Sequence, residues 1–405
     1  MTSFDTSPQL NVWRMLLALA VVFVMLATTG WTALRGQRAT TELQASLSAW
    51  RHGSVAGRPL PDPDSPPVRL ARFFTTLTEQ QQGALARRYP LAVGNMNGAP
   101  VELRYAANRV AMGQARRAEL GRMHDSRLSP EGQQHAGRRM HRLESLLKPG
   151  RHILAFDPGG SGRVAEVFGD LDEAERISVV VPGVDTDLLT FQRTDRTHSA
   201  PVGMAGALYD AEREVSPSTR TAVIAWADYT APSGLGMDAA TALRAEGGAV
   251  RLNALVRALP GAAPVSLFCH SYGSVVCGVA ARSLPSRVAD IAVAGSPGMR
   301  AENASGLGTS ARVWAMRDAD DWIEDVPHLE LGAFGHGADP VSADFGARVV
   351  SARDAEGHAG YFVPGTDSLR NFAEIGTGAY RSVVCADDAE ACTEDLSGTP
   401  TAERA

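Results

Sequence analysis

Between residues 151 and 350 the chain alternates short apolar runs with stretches of helical spacing, which limits the folds open to it. Residues 152–157, 163–168, 177–181, 221–226, 265–269, 291–294, 313–316 and 347–350 read as strands. Helical spacing fills 197–214, 237–259, 274–283 and 368–375. Several of the strand runs are almost continuously apolar, as strands are when both sheet faces are covered. The pattern therefore predicts a mostly parallel central sheet with helices on both sides. The first two runs are joined by Pro158-Gly-Gly-Ser-Gly162 alone and are expected to pair antiparallel. That turn lacks the Gly-Lys-Ser/Thr ending of a phosphate loop.

The N-terminal part reads differently. From Met15 to Leu34 there is no charge, close to the ~20 apolar residues that a bilayer crossing needs, with Trp13 and Trp31 near its ends. A cleaved signal peptide is the alternative, but the run is longer than a usual signal core, so a retained transmembrane helix is expected. Residues 52–67 are rich in Gly, Pro and Asp and read as a linker. Helices are predicted over 68–88 and 101–123, and from Pro130 (with Ser129 as N-cap) to Leu147. Their arginines (Arg104, Arg109, Arg116, Arg117, Arg138, Arg139, Arg142) read as a solvated face. The expected organisation is an anchor over 1–38, a linker and helical module over 39–150, the alternating domain over 151–385, and a flexible acidic tail over 386–405.

Net charge is −6, so no basic field argues for nucleic acid. No Cys/His spacing suits a metal, and neither metal nor cofactor is expected. Arg14 on one side of the apolar run, against Arg35 and Arg38 on the other, leans towards a cytoplasmic domain. Cys385 and Cys392 suit a disulfide in an oxidising compartment and lean the other way. The placement expected is membrane-anchored and extracytoplasmic. Cys269 and Cys277 read as small buried hydrophobes.

The chemistry is expected at Ser271, in Val265-Ser-Leu-Phe-Cys-His-Ser-Tyr-Gly-Ser274. A strand stops at a tight turn and a helix begins, which pushes the serine hydroxyl out at the carboxyl edge of the sheet, beside free helical N–H groups. A serine needs a histidine base, and the histidine needs a carboxylate. Asp318, Asp320 and Asp321 follow the strand at 313–316 and compete for the acid. His358 lies between the last strand and the last helix and is the expected base, with His336 as the alternative. The N–H of Tyr272, after the serine, and that of Val184, after the Pro182-Gly183 turn, are the expected oxyanion donors.

These residues resemble a family of bacterial, actinobacterial-type α/β-hydrolases of uncharacterised function, often membrane-anchored. The resemblance is carried by Val93-Gly-Asn-Met-Asn-Gly-Ala-Pro100, Ala107-Asn108-Arg109, Val181-Pro-Gly183, Trp226-Ala-Asp-Tyr-Thr-Ala-Pro232, His270-Ser-Tyr-Gly-Ser274, Gly295-Ser-Pro-Gly298, Asp321-Trp-Ile323, His336-Gly-Ala-Asp-Pro340, Phe345-Gly-Ala347 and His358-Ala-Gly-Tyr361. It covers residues 70–380 and implies an α/β-hydrolase fold with Ser271, Asp321 and His358 as its residues, which ranks Asp321 first among the acids. The family pattern has Gly before the His-Ser pair, so Cys269 is a departure. The expected activity is serine-dependent cleavage of an ester, thioester or amide, esterase- or lipase-like, on a small-molecule, lipid or envelope acyl substrate. Two alternatives are an acyltransferase using the same site and a non-catalytic envelope scaffold, which Cys269 would favour.

Overall fold

The structure, a computed structural model, describes residues 41–386, 392–394 and 396. Its centre is an eight-stranded sheet: β1 (His152–Asp157), β2 (Arg163–Phe168), β3 (Arg176–Val181), β4 (Thr221–Ala227), β5 (Val265–His270), β6 (Val288–Ala294), β7 (Arg312–Met316) and β8 (Arg348–Val349). Across the sheet the order is β8-β7-β6-β5-β3-β4-β2-β1. β2 pairs antiparallel with both neighbours and every other pair is parallel, as the apolar runs and the short 158–162 turn predict.

The register positions the site. Val181 lies opposite Cys269, and His270 opposite Ala294. Three strands thus end at one level, so Pro182, Ser271 and Gly295 begin their loops side by side.

Ten α-helices accompany the sheet among the described residues: α1 (Glu42–Arg51), α2 (Pro67–Thr75), α3 (Glu79–Arg88), α4 (Pro90–Gly94), α5 (Val101–Met123), α6 (Pro130–Leu146), α7 (Pro201–Val215), α8 (Leu243–Ala258), α9 (Tyr272–Ala281) and α10 (Asp367–Thr377). Leu208 of α7 and Phe372 of α10 pack with Phe268 and Trp314 on one face of the sheet. Leu252 of α8 and Val275 of α9 pack with Leu267 and Trp226 on the other.

The helical module has its own core around Trp50, Leu70, Phe74 and Tyr89. The expected linker 52–67 is part of it. Ser54–Val55 and Arg58–Pro59 form a short hairpin, Leu60 is buried, and Trp50 Nε1 donates to the Pro61 carbonyl at 2.7 Å. The module also closes the sheet's outer edge. Asn95 donates to the Phe156 carbonyl at 2.7 Å and accepts from its N–H at 3.1 Å, and Asn108 donates to the Ile153 carbonyl at 2.9 Å. An edge strand left open would be a site for unwanted pairing.

The solvated arginine face needs correcting. Arg104 is buried and bonds the Gly94 carbonyl, Arg139 is buried on Glu119 at 2.8 Å, and the half-buried Arg142 donates to the Leu189 carbonyl. The expected membrane helix lies outside the described residues. Among those described, no helix is long and apolar enough to cross a membrane. The tail is tied where it is described: Cys392 bonds Cys385, and Arg348 donates to the carbonyls of Cys392 and Glu394.

Candidate active site

β5 delivers Ser271 at its carboxyl end, and α9 starts at the next residue. Ser271 has φ 56° and ψ −129°, a conformation that costs a side-chain-bearing residue about 1–3 kcal/mol and persists only where packing enforces it. The enforcement is close approach. A Cβ on Gly273 would lie 2.2 Å from the Val181 carbonyl oxygen, and one on Gly278 would lie 1.9 Å from that of Met299. The Ser271 N–H donates to the Ala294 carbonyl at 3.0 Å, fixing the turn against β6.

Cys269 and Cys277 are buried as expected, but they are not free thiols. They form a disulfide with their Cα atoms 6.5 Å apart. The side chain that replaces the usual glycine is therefore taken up by a bond to the helix, and the turn at Ser271 keeps its geometry.

Ser271 Oγ lies 2.9 Å from His358 Nε2, and His358 Nδ1 lies 2.8 Å and 3.0 Å from the two Asp321 oxygens. The carboxylate can only accept, so Nδ1 carries the proton and Nε2 is left to accept the serine O–H. Asp321 is the N-cap of the short turn Trp322–Asp325, just past β7, and takes the Ile323 N–H at 3.0 Å. His358 sits on the short turn Gly357–Ala359, after β8. Burial works to raise the Asp321 pKa. Hydrogen bonds from His358, Tyr361 and the Ile323 N–H outweigh it and hold the carboxyl below its ordinary range.

The competing residues stand elsewhere. Asp320 is exposed. Asp318 accepts the Gly357 N–H at 2.8 Å and so braces the turn that carries His358. His336 is buried and donates from Nε2 to the Ala239 carbonyl at 2.7 Å, away from Ser271, although its ring meets the edge of Tyr272. Burial lowers its pKa.

Four contributors were not read from the sequence. Tyr361 donates to Asp321 Oδ2 at 2.6 Å and accepts the Asp318 N–H at 3.0 Å. His270 donates from Nε2 to the His358 carbonyl at 2.6 Å; burial drives its pKa to about 3, so it stays a neutral strut. Trp322 lies over the His358 ring at 4.7 Å. Gly295, at φ 54°, leaves room for the pair: a Cβ there would lie 2.7 Å from Asp321 Oδ2 and 3.1 Å from His358 Nδ1. All four stand in the family-like motifs, which mark their positions but give none of them a role.

Among the described residues, the N–H groups of Tyr272 and Val184 have no acceptor. Gly183 packs against the serine, where a Cβ would lie 2.6 Å from Ser271 Cβ and 2.9 Å from its Oγ. Tyr229 donates to the carbonyls of Pro182, at 2.6 Å, and Gly183, at 3.2 Å, which holds this turn in place. No group of His, Cys, Asp or Glu among the described residues is placed to hold a metal.

A family model described as Alpha/beta hydrolase matches residues 157–331. Uncharacterized protein Rv0963c of Mycobacterium tuberculosis (strain ATCC 25618 / H37Rv) is 32% identical over 234 residues, which cover 54% of this chain and 86% of that protein. Uncharacterized protein Rv2079 of the same strain is 25% identical over 380 residues, covering 79% of this chain and 57% of its own length. The chain thus spans little more than half of that longer relative. The crystal structure of the 2,6-dihydroxy-pseudo-oxynicotine hydrolase aligns with 68% of this chain and 81% of its own at 12% identity, with a TM-score of 0.29, too low to bear on the argument. The match to the family model, the coverage of the mycobacterial relative and the sheet topology agree: the chain belongs to the alpha/beta hydrolase family.

Proposed function

We propose that the protein is a serine hydrolase that cleaves an acyl ester through an acyl-enzyme on Ser271. The observation that carries this reading is the continuous path from Ser271 Oγ to His358 Nε2, and from Nδ1 to a buried carboxylate held on its far side by Tyr361. Ser271 Oγ attacks the carbonyl carbon as His358 takes its proton, and Asp321 stabilises the imidazolium. The carbonyl oxygen becomes an oxyanion that accepts from the N–H groups of Tyr272 and Val184. The bond to the leaving alcohol breaks as His358 returns the proton to it. Water then repeats the sequence on the acyl-enzyme and releases the acid.

The feature that favoured a non-catalytic scaffold was Cys269, and its bond to Cys277 accounts for that residue without loss of the turn. The test is hydrolysis of p-nitrophenyl acetate by wild type and Ser271→Ala. The expected result is a wild-type rate that falls by at least about 10³-fold in the variant. Equal rates in the two proteins would overturn the reading.

A further inference from the structure

The carboxyl edge of the sheet carries more than Ser271. The segment after β4, residues 228–242, and the hairpin Glu330–Leu331/Phe334–Gly335 after β7 both rise from it. They are joined: the Ala242 N–H donates to Ala333, the Gly335 N–H donates to Ala240, and Thr241 bridges Phe334. The pair is also fastened to the residue after the serine, because Tyr272 donates its phenol to the Thr241 carbonyl at 2.6 Å.

This rim is apolar and uncovered. Leu235 and Met237 are 69% and 66% exposed on the first segment, with Leu243 exposed where it runs into α8. On the second, Leu331 is 77% exposed, with Leu329 and Phe334 beside it. Trp322, over His358, is exposed as well. Most of the large exposed apolar side chains among the described residues belong to this one region, although single exposed leucines elsewhere would be ordinary. Two charges on it are paired, Asp238 with Arg244 at 2.7 Å and Glu330 with Arg300 at 3.0 Å.

The occupant is indicated by where the chain enters the fold. Thr41 lies beside Gly159, whose Cβ would be 3.7 Å from Thr41 Cβ. Gly159 sits in the turn after β1. β1 runs antiparallel to β2, and β2 antiparallel to β4, so β1 ends at the same edge as Ser271. Four strand steps separate β1 from β5, a distance of roughly 20 Å. The uncharged run 15–34 ends seven residues before Thr41, a link of at most roughly 25 Å. A bilayer holding that run would lie within roughly 25 Å of the sheet edge from which the apolar rim projects.

We infer that the rim of residues 235–243 and 329–334 docks into a lipid bilayer, and that the substrate is the acyl ester of a membrane lipid entering Ser271 from that surface. Charge pairing on the rim makes the docking apolar rather than dependent on anionic headgroups. The substrate class rests on the serine-hydrolase reading above; the docking does not.

The full chain, reconstituted in phosphatidylcholine vesicles, tests both. In vesicles with nitroxide-bearing acyl chains, a nitrobenzoxadiazole label on Leu331→Cys is quenched, whereas one on Ala262→Cys, in the turn before β5 at the opposite edge, is not; among the described residues no native cysteine is free to take the label. The double variant Leu331→Ser/Phe334→Ser keeps its rate on p-nitrophenyl acetate within about 2-fold and loses about 10-fold or more on p-nitrophenyl palmitate embedded in the vesicles. Absence of quenching at 331 overturns the docking. So does a double variant that loses both substrates equally or neither, or a dimer that the double substitution converts to monomer. Should wild type hydrolyse neither ester while quenching at 331 persists, the hydrolase reading fails, and the lipid-substrate assignment with it, whereas the docking stands.

Discussion

Cys269 at the end of β5 is bonded to Cys277 in the second turn of α9, so the strand and the helix that flank Ser271 are joined covalently. The bond spans eight residues of chain and closes a short loop through the serine itself. Cys269→Ala/Cys277→Ala is expected to lose about 2–3 kcal/mol of stability by the loop-closure account. Denaturant unfolding of the two proteins measures it, and equal midpoints would show that the bond adds nothing.

Tyr361 holds the far side of Asp321 without facing the serine. Tyr361→Phe keeps the ring and removes one hydrogen bond to a charged acceptor. It should lower kcat by roughly 10- to 100-fold with KM unchanged. A shift confined to KM would place Tyr361 in substrate binding instead.

Gly295 is the position where one added methyl group strikes both Asp321 and His358. Gly295→Ala also pays for a left-handed backbone, about 1–2 kcal/mol. Activity should fall by at least about 100-fold, while circular dichroism reports a folded protein. Near-normal turnover would mean that the acid–base pair tolerates displacement.

Glu212 lies buried between α7 and the sheet, where it accepts the Ser178 hydroxyl. Burial pushes its pKa from 4.5 up to about 8. A carboxyl whose folded pKa is raised binds its proton more tightly in the folded state. Its stabilising effect is complete below pH 4.5 and is lost as pH rises towards about 8. Glu212→Gln should flatten that part of the stability-against-pH curve and unfold later than wild type at pH 8. Parallel curves for the two proteins would contradict this.

The strands of the sheet were legible because burial on both faces leaves continuous apolar runs, and the 158–162 turn is too short for anything but a hairpin. Ser271 was legible because the strand–turn–helix requires small residues such as Gly273 on a local pattern. The Cys269–Cys277 bond was not, since each cysteine alone reads as a small buried residue. Nor was the pairing of 330–335 with 240–242, which depends on two loops that meet only in three dimensions. His270 stands in a family-like motif, but its role was hidden because its partner is a backbone carbonyl 88 residues away. The arginines of α5 and α6 misled for a related reason: Arg139 is buried only because Glu119 and the turn after β1 come to meet it.

The central claim is that Ser271 is a nucleophile made reactive by His358. Treating the folded chain with a fluorophosphonate and mapping the adduct by peptide mass spectrometry tests it most directly. The account predicts a single adduct on the peptide containing Ser271, absent in Ser271→Ala and formed at least about 100-fold more slowly in His358→Ala. An adduct on another residue, or labelling that survives Ser271→Ala, would contradict it.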